Sequence, residues 1–66
     1  MRVVLRNPKR ELDVPAPRNV GILLRDLEIV PESVLVIRNA TLATHDERLH
    51  DDDVVEIRPV MSGGAT

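Results

Sequence analysis

The chain contains no cysteine and no phenylalanine, tryptophan or tyrosine, and only three of its 66 residues are glycine. Without cysteine, neither a disulfide nor a thiolate-built zinc site can brace it. The two histidines, His45 and His50, lack the partner spacing of a metal site and read as exposed loop residues. Without aromatic rings there is no platform on which unpaired bases could stack. A basic footprint is missing too: nine Lys and Arg stand against eleven Asp and Glu, for a net charge of −2. Both absences argue against strong direct nucleic-acid binding. The opening MRVVLRNPKR has no long apolar run, so it does not read as a signal peptide. No stretch approaches the ~20 apolar residues of a membrane span. A cytoplasmic monomer that meets no membrane is the expectation.

What remains is aliphatic. The composition is 42% hydrophobic, so Val, Leu and Ile must build the core. The length suits one domain, near the lower limit for folding unaided. Residues 1–6 alternate with period two, placing Met1, Val3 and Leu5 on one face of a strand. Asn7-Pro8-Lys9-Arg10 carries turn chemistry. Leu12 and Val14 continue the alternation, and Pro15 and Pro17 end it. From Asn19, an N-cap residue, the period changes. Val20, Leu23, Leu24 and Leu27 form a helical stripe, predicting a helix over 19–28. Gly21 weakens that helix, and Pro31 lies beyond its end. SVLVIR at 33–38 reads as a strand buried on both faces or central in a sheet. Asn39-Ala40 is a tight turn, a short unpatterned stretch starts at Leu42, and Asp51-Asp52-Asp53 reads as a solvated turn. VVEIRPV at 54–60 is the last strand. The expected core is Val3, Leu5, Leu12, Val14, Leu23, Leu24, Leu27, Leu35, Ile37, Leu49, Val55 and Ile57. One helix covers one face of such a sheet, which makes the class α+β.

This order of elements, with the final strand running into Ser-Gly-Gly, resembles the ThiS/MoaD family of ubiquitin-like sulfur carriers. DDDVVEIRPVMSGG at 51–64, SVLVIRNATL at 33–42 and MRVVLRNPKRELDV at the start carry the resemblance. It implies a β-grasp fold: a mixed sheet of four or five strands packed on one helix. The ubiquitin-like domain is then 1–61, and 62–66 is a flexible C-terminal tail. MRVVLR followed by a Pro-basic turn is most similar to those members that supply sulfur for 2-thiouridine-type modification of tRNA. Two departures stand out. Asn39-Ala40 replaces a frequent Asn-Gly, and Ala65-Thr66 follow the glycines at which members usually end.

The resemblance also implies a chemistry for the tail. An E1-like adenylating enzyme activates the carboxylate of Gly64, next to Gly63, with ATP. A sulfur donor of the cysteine desulfurase or rhodanese type converts the adenylate to a thiocarboxylate, which a downstream thiolase or synthase consumes. The carrier is then a co-substrate rather than an enzyme, with no bound cofactor, no metal and no catalytic residue of its own. Glycine suits this end because a segment without Cβ can enter a narrow site with its backbone extended. Ala65 and Thr66 would first have to be removed by a processing protease. Arg58, Val60, Met61 and Ser62 flank the tail and are the candidate docking residues for partners. Arg6 and Arg38 are further candidates for contact with partner enzymes or tRNA. A carrier for thiamine, molybdopterin or cysteine synthesis fits the same residues. So does a ubiquitin-like modifier joined to lysines, or a non-catalytic β-grasp binding module.

Overall fold

The computed structural model describes residues 1–6 and 9–60. The expected boundary between domain and tail falls outside them, as do Met61, Ser62, Gly63, Gly64, Ala65 and Thr66. Five strands are present: β1 (Arg2–Leu5), β2 (Arg10–Asp13), β3 (Val34–Arg38), β4 (Thr41–Leu42) and β5 (Val54–Pro59). They form one sheet in the order β2-β1-β5-β3-β4. The first and last strands lie side by side and parallel, with Val3 opposite Val55 and Leu5 opposite Ile57. The other pairings are antiparallel. A helix, α1 (Val20–Asp26), and a 3-10 turn at Pro31–Ser33 complete the mixed α+β arrangement. This is the β-grasp organisation that the resemblance implied.

The helix begins and ends where its sequence chemistry dictates. The Asn19 side chain accepts from the Ile22 N–H at 2.9 Å. The Val20 and Gly21 N–H groups donate to the Glu47 and His45 carbonyls, and Leu23 donates to the Asn19 carbonyl. The Val20, Gly21 and Ile22 donors that the helix start leaves open are therefore all satisfied, and Leu23 makes the first bond within the helix. At the other end Glu28 takes a left-handed φ of 59°. Its N–H bonds the Arg25 carbonyl, and the Ile29 N–H bonds the Leu24 carbonyl. That pair of bonds is a Schellman stop, formed here without the usual glycine.

The helix buries Val20, Leu23 and Leu24 against Met1, Val3, Val36, Leu49, Val55 and Ile57. Leu24, Val3, Val20 and Val55 are fully enclosed, each contributing about 1.5–3 kcal/mol relative to an exposed side chain. Leu5, Leu12, Val14 and Leu27 pack around this core half-buried. Leu35 and Ile37, expected inside, are not part of it. Leu35 is 47% exposed and pairs across the sheet with Arg58, while Val36 pairs with Ile57 and points inward. VLVI is apolar at both parities, so its own pattern cannot say which face is buried. The strand register decides.

Two further readings are corrected. The middle strand is β5 rather than β3, and β3 is covered on one face only. The acidic turn is not wholly solvated: Asp51 and Asp52 are exposed, but Asp53 is 4% exposed. Its Oδ2 accepts from Arg38 Nε and the His50 N–H, and its Oδ1 from Asn39 Nδ2. These bonds join the turn after β3 to the start of β5. The unpatterned stretch from Leu42 begins with a two-residue strand pairing Leu42 with Ile37. Among the described residues no helix is long and apolar enough to cross a membrane.

Candidate functional site

The chain reaches its tail through the middle of the sheet. β5 is hydrogen-bonded on both sides, to β1 and to β3, so its exit point is laterally fixed. The Val60 N–H donates to the Ser33 carbonyl at 2.8 Å, one residue past the strand. Ser33 is itself held by its N–H and hydroxyl, both donating to the Val30 carbonyl at 2.9 and 2.7 Å. On the other side the Arg6 N–H reaches the Ile57 carbonyl at 3.3 Å. The last described residues are thus clamped between the end of β1 and the 3-10 turn.

The side chains around this exit alternate with the strand. Ile57 faces the core, whereas Glu56, Arg58 and Val60 belong to the outer parity. Glu56 Oε2 accepts from both Arg6 Nε (2.7 Å) and Arg58 Nε (2.8 Å). The Arg58 and Arg6 bonds hold the Glu56 carboxyl below its ordinary range. One carboxylate answers two guanidiniums, so the cluster keeps a net positive charge. Leu35, beside Arg58 on β3, and Val60, 38% exposed, add apolar surface. Leu42 and Val54 extend it on the outer face.

A groove of about 280 Å³ opens at the same end, lined by Leu5, Arg6, Arg10, Ile29, Val34, Ile57 and Pro59. A larger one, about 550 Å³, lies at the far end of the sheet among Met1, Arg2, Glu11, Leu12, Asp13, Asp51, Asp52, Asp53 and Val54. Acidic as it is, no group of His, Cys, Asp or Glu among the described residues is arranged to hold a metal ion.

The structure therefore brings Arg58 and Val60 to the exit. The other candidate residues, Met61, Ser62, Gly63, Gly64, Ala65 and Thr66, lie outside the described residues. Arg6 joins the exit through Glu56. Arg38 does not: it is spent internally on Asp53 (2.7 Å) and Glu47 (2.8 Å). His45 and His50 are exposed, and their backbone groups carry the bonds described above. Arg10 and the groove floor were missed by sequence reasoning. Only the parallel pairing of β1 with β5 brings Arg6 and Arg10 beside the end of β5, and strand order is not written in local pattern.

Comparison with known proteins identifies the family. The chain is 37% identical over 65 residues to Sulfur carrier protein TtuB of Thermus thermophilus, covering 97% of this chain and 100% of that one. The sequence pattern of the ThiS family matches residues 3–64, ending on the second glycine. This protein belongs to the ThiS family.

Proposed function

We propose that the protein is a sulfur carrier whose Gly64 carboxylate is activated and converted to a thiocarboxylate, which then donates sulfur for 2-thiouridine-type thiolation of tRNA. The observation that carries this is the family match running to Gly64, a few residues in sequence beyond β5, the strand that holds the centre of the sheet. The name of the Thermus thermophilus relative, a sulfur carrier protein, supports it. The chemistry balances. The Gly64 carboxylate attacks the α-phosphorus of ATP on an E1-like enzyme, and pyrophosphate leaves. Sulfide, delivered by a sulfur donor, attacks the resulting acyl adenylate, and AMP leaves with one carboxyl oxygen. The carrier supplies position rather than catalysis: a rigid body, a fixed exit and a Cβ-free end that fits a narrow site.

On this reading Ala65 and Thr66 are removed before activation, because a β-branched residue beyond Gly64 is sterically unlike glycine. The test uses the chain ending at Gly64, ATP, the E1-like enzyme of the same genome and sulfide. Mass spectrometry is expected to show a gain of about 16 Da, the exchange of oxygen for sulfur; the chain ending at Thr66 is expected to stay unchanged. Adding the thiolase and tRNA is expected to yield 2-thiouridine on nucleoside analysis. Equal sulfur gain at Thr66 overturns the processing step. No reaction of either form favours a non-catalytic binding module instead.

A further inference from the structure

The groove beside the end of β5 has two unlike parts. Its floor is aliphatic, with Ile57 3% exposed and Leu5, Ile29 and Val34 half-buried around it. Its rim is cationic, from Arg6 and Arg10. Lys9, next to Arg10 in the turn, and Arg58, across Glu56, add to the same end, and all four are exposed. Glu56 binds Arg6 and Arg58, but Arg10 and Lys9 make no ion pair among the described residues. Glu28 and Glu32 come from neighbouring turns but do not line the groove. In a chain of net charge −2, positive charge is concentrated at the end of the sheet where β5 stops, while Glu11, Asp13, Asp51 and Asp52 gather around the opposite groove.

We propose that this groove docks an acidic segment of the adenylating enzyme, one apolar side chain entering the floor and carboxylates meeting Arg6 and Arg10. The proposal rests on the carrier reading of Gly64. Charge complementarity selects an acidic partner. The aliphatic floor selects protein over nucleic acid, because phosphates would meet the rim but leave the floor empty. Docking here also has a use. Gly64 is four residues beyond Val60, so it cannot lie more than ~14 Å from it along an extended chain. A grip at the groove therefore confines the reacting carboxylate to a small volume, which is how positioning lowers a barrier.

The experiment compares Arg10→Glu, Arg6→Glu and Arg48→Glu, the last an exposed residue that does not line the groove. Full-length chains are titrated calorimetrically against the E1-like enzyme of the same genome, and chains ending at Gly64 are followed by ATP–pyrophosphate exchange. Arg10→Glu is expected to weaken binding and raise KM about tenfold with kcat retained, an effect that added salt diminishes in the parent. Arg6→Glu, which also loses Glu56, is read only after its melting temperature is matched; Arg10 carries the test if it is not. Arg48→Glu is expected to behave as the parent. Equal KM for Arg10→Glu and Arg48→Glu overturns the docking site while leaving the carrier reading intact. Three other results overturn it too: loss of tRNA retention on filters without a change in KM, a change in sedimenting mass, or Leu5, Ile29 and Val34 amide shifts on deleting residues 61–66. They would assign the groove to RNA, to a second copy and to the tail respectively. A parent that is never adenylated takes down the carrier reading, and this inference with it.

Discussion

Asp53 sits where three donors converge, from Arg38, Asn39 and the His50 backbone. The Arg38 bond above all, with Asn39 and His50, holds its carboxyl down at about 2 from an ordinary 3.8. The folded pKa is below the unfolded one, so the unfolded chain binds more protons between these values. Stability from this group is fully present above pH ~4 and is lost as pH falls through ~2. The melting temperature is expected to drop over that window by thermal denaturation, and less steeply in Asp53→Asn. At neutral pH Asp53→Asn is expected to cost about 1–3 kcal/mol, because Arg38 then lacks its buried charge partner; a variant as stable as the parent would show the cluster to be idle. The turn it anchors is strained. Asn39 and Ala40 have φ of 50° and 71°, and the left-handed region suits Asn but penalises Ala. Ala40→Gly is expected to stabilise by about 0.5–1 kcal/mol in denaturant titration, relief of strain outweighing the added freedom of the unfolded chain.

Among the elements, legibility followed periodicity. The helix was readable because Val20, Leu23, Leu24 and Leu27 repeat at helical spacing after an Asn cap, and the structure places its start at Val20. β1 and β5 were readable because Val3, Leu5, Val55 and Ile57 fall at period two beside Arg2, Arg6, Glu56 and Arg58, with Val4 and Val54 the apolar exceptions on the outer parity. β3 was readable as a strand but not as a face, since nothing polar interrupts VLVI and only pairing with β5 turns Leu35 outward. β4 has two residues, too few for any period. The difference is measurable. Leu24→Ala, in the fully enclosed position, is expected to cost about 2–5 kcal/mol. Leu35→Ala, on the outer face, is expected to stay within about 0.5 kcal/mol. Similar losses in urea unfolding at both positions would mean the outer face is covered after all.

For the whole molecule, the position of the tail could be read from sequence but its surroundings could not. Gly63-Gly64 announce themselves, whereas Arg6 and Arg10 become neighbours of the exit only through a contact spanning most of the chain. That long-range pairing makes β5 indispensable: it bridges β1 to β3 and supplies Val55 and Ile57 to the core. A chain ending at Asp53 is therefore expected to show no cooperative melting by circular dichroism, and a cooperative transition would show that four strands suffice. The same pairing has a consequence for synthesis. On the ribosome β1 emerges first and must wait for β5, the last strand made, before the sheet can close. A chain interrupted anywhere earlier would lack both the closed sheet and Gly63-Gly64. The closed sheet and the two glycines are thus acquired within a few residues of each other, and a partner that recognises the closed sheet would rarely meet a chain without its glycines.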